Sequence, residues 1–338
     1  MAVIVRERSM NIAVLQGGRS AEREVSLRSG AQVAAALRGR GHRGEQVDLD
    51  RDVWDRLRDG AYDCVFIALH GRRGEDGTVQ GMLELLGVPY TGSGVLASAL
   101  CIDKARTNRL LQAEGFPVPE FEEVEGDDVE RLAGRYCLPA VVKPVREGST
   151  IGLTIAHDVD ALASGLVLAR RYDARVLVQR FVAGTEITVG VLATPELLVL
   201  PTLEITYENE TYDYDAKYTE GRSHHIIPAR VPELARRAVA DAAGRAFRAL
   251  GCEGMARVDF IVDRDCTPWL LEVNTVPGLT ALSLLPDAAR AAGIQFPELC
   301  ERLVRHGIER RRRHVGPPVP RRSDRDSGGG SGAPGTSG

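Results

Sequence analysis

Along the first third of the chain, short apolar runs alternate with segments whose apolar residues recur at helical spacing. NIAVL, GEQVDLD and YDCVFIALH read as strands, and SLRSGAQVAAALRGRG and TVQGMLELLG as helices. Such alternation predicts an open parallel sheet with crossover helices. VFIAL is apolar throughout, as a strand buried on both faces should be, and it breaks off abruptly into HGRRGEDG. Loops at the carboxyl ends of parallel strands are where open α/β sheets bind ligands. His70 therefore stands where either a ligand contact or a turn-capping role fits, and Glu22, in GGRSAEREVS, suits either a helix cap or a substrate ammonium.

A short loop, YTGSG, leads into VLASALCIDKARTNRLLQAEG, which reads as one long helix opening a second unit. That unit continues through PAVVKP, a glycine-rich turn, LTIA, a helix around Val159 to Tyr172, and the strand VLVQRF, a small α+β arrangement. A third unit has strands, an irregular stretch from Tyr207 to Pro228, the helix LARRAVADAAGRAFRALG, and the pair ARVDFIV and PWLLEVN joined by the turn-prone DRDCTP. From Gly316 the chain is poor in apolar residues and rich in Gly, Ser and Pro, which predicts a disordered tail. The expected boundaries are 1–98, 99–184, 185–315 and the tail 316–338.

The final hairpin carries the most specific chemistry. With a period of two, Arg257 and Asp259 share one face of the first strand, and Glu272 and Asn274 one face of the second. Brought together by register, they set three hard oxygen donors beside a guanidinium. Magnesium suits such a set, because it takes few protein oxygens and completes its octahedron with water and substrate phosphates. The plainer alternative is a charged solvent face. REGSTIG, from Arg146 to Gly152, follows a strand and fits either a loop that folds over phosphates or an ordinary turn. Lys143 favours phosphate, since a lysine within an apolar run is costly to bury without an anionic partner.

Other patterns point away from competing classes. No GxxxxGK[ST] sequence occurs, so a P-loop is excluded. Gly92, Gly94 and Ala97 match a dinucleotide fingerprint with Glu114 beyond it, but the preceding strand, VPY, is very short and lies outside the first βαβ unit. The chain has 338 residues, 43% hydrophobic and 27% charged, with a net charge of −4. This predicts two or three globular domains and gives no reason to expect nucleic acid or a membrane as partner. Six scattered cysteines without a CxxC pair argue against zinc and disulfides and for a reducing cytoplasm. The N-terminus reads as neither signal nor anchor. The basic run Arg310 to Arg313 reads as a solvated helix end, and the adjacent His224 and His225 receive no role.

Taken together, GGRSAEREVS, ALHGRRGEDGTVQGMLELLGVPYTGSG, KPVREGSTIG, YDYDAKY, and RVDF with LLEVNTVPGLTALSLLP closely resemble the D-alanine–D-alanine ligases of the ATP-grasp superfamily. The resemblance covers roughly Asn11 to Arg305. It implies an α/β and α+β protein: an N-terminal open parallel, Rossmann-like sheet domain followed by the two-domain ATP-grasp fold, with ATP held between two antiparallel sheets. It implies ATP-dependent joining of two D-alanines through an acyl phosphate, for peptidoglycan precursors, by a cytoplasmic homodimer.

Residue by residue, the resemblance makes Asp259, Glu272 and Asn274 the ligands of two magnesium or manganese ions. It makes Lys104, Lys143 and Lys217 phosphate contacts, and Arg257 with the amide of Gly278 the holders of an oxyanion. Glu22 and His70 would meet the first D-alanine, and Ser149 and Tyr218 would close a loop with Glu22. Ser283 and Leu284 would take the second carboxylate. Glu147, Ser149, Gln179, Arg180, Val182 and Glu186 complete the ATP contacts. Gln179 and Arg180 depart from the Glu-Lys pair of many relatives, which bears on nucleotide affinity. A D-serine ligase, less readily a D-lactate one, and a non-catalytic ATP-binding scaffold are the competing readings. Lys217 and Tyr218 speak against lactate, and the full set of lysines and acids against a scaffold.

Overall fold

The computed structural model describes residues 8–125, 129–148, 150–207, 223–280 and 283–314. Three sheets organise the chain. The first is parallel, in the order β2-β1-β3, with β1 Asn11–Gln16, β2 Arg43–Asp48 and β3 Cys64–Ile67. Helices α1 (Arg23–Gly39), α2 (Val53–Asp59) and α3 (Thr78–Leu86) follow the strands in turn. β3 is wholly buried, as its uninterrupted apolar run requires.

The expected single helix after YTGSG is two, α4 (Val95–Ile102) and α5 (Lys104–Ala113). Asp103 breaks it: at ψ 89 it leaves helical conformation, and its carboxylate accepts the Arg106 amide as an N-cap. The break turns Lys104 inward, where only 7% of it is exposed.

The second sheet is antiparallel, in the order β4-β7-β5-β6, from Phe121–Val124, Val176–Arg180, Ala140–Pro144 and Thr154–Ala156. Helices α6 (Val129–Tyr136) and α7 (Val159–Arg170) pack with it around Leu132, Leu162 and Leu166. The third sheet, also antiparallel, runs β11-β10-β8-β12-β13, with β9 (Leu197–Val199) beside β8. Its long strands are β8 (Thr185–Ala193), β12 (Met255–Val262) and β13 (Pro268–Asn274), and its edge is β10 (Leu203–Tyr207) with β11 (Ser223–Ile226). The Tyr207 to Pro228 stretch thus ends in a strand rather than staying irregular. Helix α8 (Glu233–Ala249) covers this sheet through Val239, Ala243 and Phe247.

Helices α9 (Leu284–Ala291) and α10 (Phe296–His314) pack back onto the first sheet, and Leu285, Leu299 and Leu303 share its core with Ile12, Val14 and Phe66. The chain's end is thereby tied to its beginning. The basic run is solvated at its end, where Arg312 and Arg313 are exposed, but not at its start: Arg310 is 5% exposed, lies 3.9 Å above the Tyr90 ring, and donates to the Gly92 carbonyl at 2.8 Å. Gly92 and Gly94 serve this seam, with Gly254 packed against the Gly92 backbone. No helix among the described residues is long and apolar enough to cross a membrane. The predicted tail 316–338 lies outside the described residues, as do Ser149, Lys217 and Tyr218.

Candidate functional site

The antiparallel register of β12 and β13 sets Arg257 opposite Asn274 and Asp259 opposite Glu272. All four therefore project from one face of the sheet. Just past Asp259 the ladder slips, pairing Phe260 with Leu270, so that Leu271 is an extra residue. Bulges of this kind re-aim side chains beside active sites. Here Leu271 lines two of the three spaces described below.

Asp259 is held on two sides. Thr188 donates to its Oδ1 at 2.6 Å, and Arg257 donates through Nε at 2.9 Å and through Nη2 at 2.8 Å to Oδ2. A fork-to-carboxylate pair fixes both groups in orientation, and the carboxylate keeps lone pairs for a further partner. Glu272 meets Lys104, with Nζ at 3.3 Å from Oε2, and the same ammonium donates to the Glu147 carbonyl at 2.6 Å. Lys104 thus ties the β13 acid to the glycine-rich turn from β5.

Between the second and third sheets lies a cavity of 590 Å³. Lys143, Gln179, Arg180, Val182 and Glu186 line it, together with apolar Ile155 and Ile261. Gln179 is 2% exposed and its Nε2 is buried with no partner among the described residues. Such a donor fits a ligand bearing an acceptor, as a purine ring does. Arg180 stacks on Trp269 at 4.6 Å. A narrower space continues from this cavity, sharing Lys143, Glu186 and Leu271, to Lys104, Glu147, Gly148, Asp259 and Glu272. A third passes on from Lys104, Gly148 and Glu272 to Asn274 and Glu75.

The far end is built by the parallel sheet. Glu22 occupies the N-cap position of α1, yet its side chain makes no cap bond, which removes the capping alternative. It is 5% exposed and faces the glycine-rich turn, where a Cβ at Gly148 would sit 3.4 Å from Oε2. His70 is also buried, with Nδ1 3.2 Å from the Val276 carbonyl and 3.5 Å from Glu75 Oε1, and Nε2 3.2 Å from Ser29 Oγ. Burial opposes its charge, but the hydrogen bond to Glu75 and the charges of Glu75 and Glu22 outweigh it and raise the imidazole above its usual range. Burial first, and then Glu22, push the Glu75 carboxyl up as well. Glu147, raised chiefly by burial, has Oε1 3.1 Å from Arg72 Nε.

Beyond β13, Ser283 Oγ accepts the Thr280 amide at 2.9 Å, and a Cβ at Gly278 would lie 2.8 Å from that hydroxyl. Gly278 therefore lies close against Ser283, the N-cap residue of α9, and Leu284 opens that helix. Glu75 and Thr188 were not singled out in the sequence. An acid in a glycine-rich turn reads as surface, and only the fold shows Glu75 to be 6% exposed.

Among the described residues no three His, Cys, Asp or Glu side chains cluster as a metal cage. Two carboxylates and one carboxamide oxygen do face one another on the hairpin. That donor set fits a hard divalent ion that draws its remaining ligands from phosphates and water.

Comparison with known proteins agrees with this architecture. Residues 45–93 match the family model "D-ala D-ala ligase N-terminus", and residues 110–305 match "D-ala D-ala ligase C-terminus". A D-alanine–D-alanine ligase of Desulforudis audaxviator is 52% identical over 303 residues, 88% of this chain and 99% of the relative. One from Pelotomaculum thermopropionicum is 49% identical over 310 residues, covering 89% and 98%. The crystal structure of the Bacillus anthracis D-alanine–D-alanine ligase complexed with ATP superposes with a TM-score of 0.77 at 33% identity, over 91% of this chain and all of that one. A hairpin pairing Asp259 with Glu272, and a nucleotide-sized cleft between two antiparallel sheets, thus occur in a chain that belongs to the D-alanine–D-alanine ligase family, an ATP-grasp fold.

Proposed function

We propose that this chain joins two D-alanines into D-alanyl-D-alanine with ATP, for peptidoglycan precursor synthesis in the cytoplasm. The run of connected spaces from Gln179, past Lys143, Asp259 and Glu272, to Glu75 carries the reading, because it orders a base site, a phosphate site and a small polar site along one cleft. A free carboxylate is a poor electrophile. In the proposed reaction the first D-alanine takes the terminal phosphoryl group and becomes an acyl phosphate, which the amine of the second attacks with loss of phosphate. Positioning and charge neutralisation dominate such chemistry, so no protein nucleophile is required.

Each residue has a defined part in that proposal. Gln179, Arg180, Val182 and Glu186 bind the nucleoside, and Lys104 and Lys143 with the Glu147 and Ser149 turn bind phosphates. Asp259, Glu272 and Asn274 would hold two magnesium or manganese ions, which when bound neutralise triphosphate charge. Arg257, pre-aligned by Asp259, and the Gly278 amide stabilise the oxyanion. A single such donor is worth about 3 kcal/mol. Glu22 and His70 receive the first D-alanine, and Ser283 and Leu284 the second carboxylate. Lys217, Tyr218 and Ser149 rest on the resemblance alone. We divide the chain at 98, 184 and 315, and assign it a homodimer through the first domain, where Leu85 and Leu96 are 82% and 79% exposed.

The test is phosphate release from ATP with D-alanine, D-serine, D-lactate and L-alanine, alone and in pairs, with the product identified by mass. Release with D-alanine alone and formation of the dipeptide are expected. Release with D-serine or D-lactate but not with D-alanine would overturn the assignment.

A further inference from the structure

At the carboxyl edge of the parallel sheet, outside the cleft just described, a cavity of 260 Å³ opens between the loops that follow β1, β2 and β3. Each loop contributes one arginine: Arg19, Arg51 and Arg73. Among the described residues none of the three guanidinium groups has an ion pair or side-chain hydrogen bond. Asp50 is the sole acid in the lining, and it is engaged elsewhere: Oδ1 accepts the Asp52 amide at 3.0 Å and Oδ2 lies 3.6 Å from Arg56. Leu49 and Val79 join the floor to the core beneath. Three exposed arginines around one cavity, in a chain of net charge −4, are a local reversal of its balance.

Backbone strain adds an independent indication. Arg73 sits at φ +69, a left-handed conformation that costs a non-glycine residue free energy, and its amide is pinned by Asp76 Oδ2 at 2.8 Å. The turn therefore holds a long cationic side chain at the rim where glycine would be at ease. The place itself is the crevice at which open α/β sheets take ligands.

We infer that this cavity is a second anion site, for a small molecule bearing a phosphate group. Planar guanidinium forks match phosphate oxygens, and three of them suit a dianion better than a carboxylate. The same loops build the far end of the cleft. Arg19 lies three residues before Glu22, Arg73 three after His70, and Ser20 Oγ donates to the His70 carbonyl at 2.7 Å, stapling the two loops. An occupant that draws Arg19 and Arg73 together shifts the loops carrying Glu22 and His70, so binding there couples to the cleft.

The inference does not depend on the ligase reading, because it is tested by binding. The full chain is titrated calorimetrically with inorganic phosphate and with glycerol phosphate at constant ionic strength, beside the Arg51→Gln/Arg73→Gly variant and, as control for the triphosphate cleft, Lys143→Met. Binding is expected to weaken about ten-fold or more in the arginine variant, as loss of charge-assisted hydrogen bonds implies, and to persist in Lys143→Met. Tighter binding of the ester identifies an organic phosphate as the ligand, and equal binding identifies free phosphate. Binding equal in wild type and the arginine variant, binding abolished by Lys143→Met alone, or no binding at millimolar anion would each overturn it. Circular dichroism of the variant shows whether the fold is kept, and Arg51→Gln alone, on the surface, repeats the test if it is not.

Discussion

Asp259 stands directly opposite Glu272 across the β12–β13 ladder, and the two carboxylates have different anchors: Arg257 and Thr188 for the first, Lys104 for the second. The difference separates their mutant phenotypes. Glu272→Gln keeps shape and a hydrogen-bond acceptor but removes the charge beside Lys104, whose side chain is only 8% exposed, so stability should fall by about 1–2 kcal/mol. Phosphate release should fall about 100- to 1,000-fold. Asp259→Ala should lose comparable activity and also about 2–3 kcal/mol of stability, because it removes the charge-assisted hydrogen bonds that Arg257 and Thr188 make to this carboxylate. Urea midpoints beside initial rates check both; a Glu272→Gln enzyme with full activity would remove this acid from the chemistry.

Gln179 leads to a nucleotide effect. Its buried Nε2 has no partner among the described residues and lines the large cavity, so a bound base gives it one. Gln179→Ala should raise KM for ATP about ten-fold, the worth of one hydrogen bond in a desolvated site, with kcat little changed. A fall in kcat at constant KM would place Gln179 in the chemical step instead.

Arg310 shows what sequence reading reached and where it stopped. Period-two alternation in ARVDFIV and PWLLEVN was enough to set Arg257, Asp259, Glu272 and Asn274 on one face, because strand geometry is local. The parallel sheet was legible for the same reason. The break at Asp103 was not, since a mid-helix aspartate becomes a cap only once Lys104 is turned inward. The burial of Arg310 and Glu75 depends on partners far away in sequence, Tyr90 and Gly92 for one and His70 for the other. Arg310→Ala should therefore cost about 2–3 kcal/mol, through the lost bond to the Gly92 carbonyl, the lost ring contact and a stranded Glu253, where a solvated helix end would cost almost nothing. Denaturant unfolding of the single variant decides between these outcomes.

His306, one turn before Arg310, sets an acid limit on the same seam. Burial, and then the charges of Arg310 and Arg313, push its imidazole down from 6.5 to about 4, and Nδ1 is buried with no partner among the described residues. The unfolded chain binds a proton here below about pH 6.5 while the folded one resists until about pH 4, so stability falls as pH drops through that window. The loss is up to about 3 kcal/mol at the acid end. His306→Leu should flatten the dependence of the urea midpoint on pH between those values. An unchanged slope would assign the acid sensitivity to other groups.

Glu75 governs the titration of His70, and here the sign is opposite. The folded-state pKa of His70 is raised, so its contribution to stability is complete below the unfolded value of about 6.5 and is lost as pH rises through the folded pKa. Glu75→Gln removes the hydrogen bond and the largest charge that favour the imidazolium, leaving only Glu22 and the Val276 carbonyl to set against burial. The imidazole resonance of His70 should then titrate at lower pH than in the wild type. The alkaline loss of stability should move down with it. Because Glu75 meets the cleft at its far end, through His70, the charge of Glu22 and the small space beside Asn274, the pH profile of kcat/KM for D-alanine should shift while KM for ATP stays near its wild-type value. Proton NMR of His70 across the neutral range gives the first readout and the pH–rate profile the second. An imidazole that titrates identically in Glu75→Gln would mean that Glu22 alone supports the charge, and Glu22→Gln would then produce the shift.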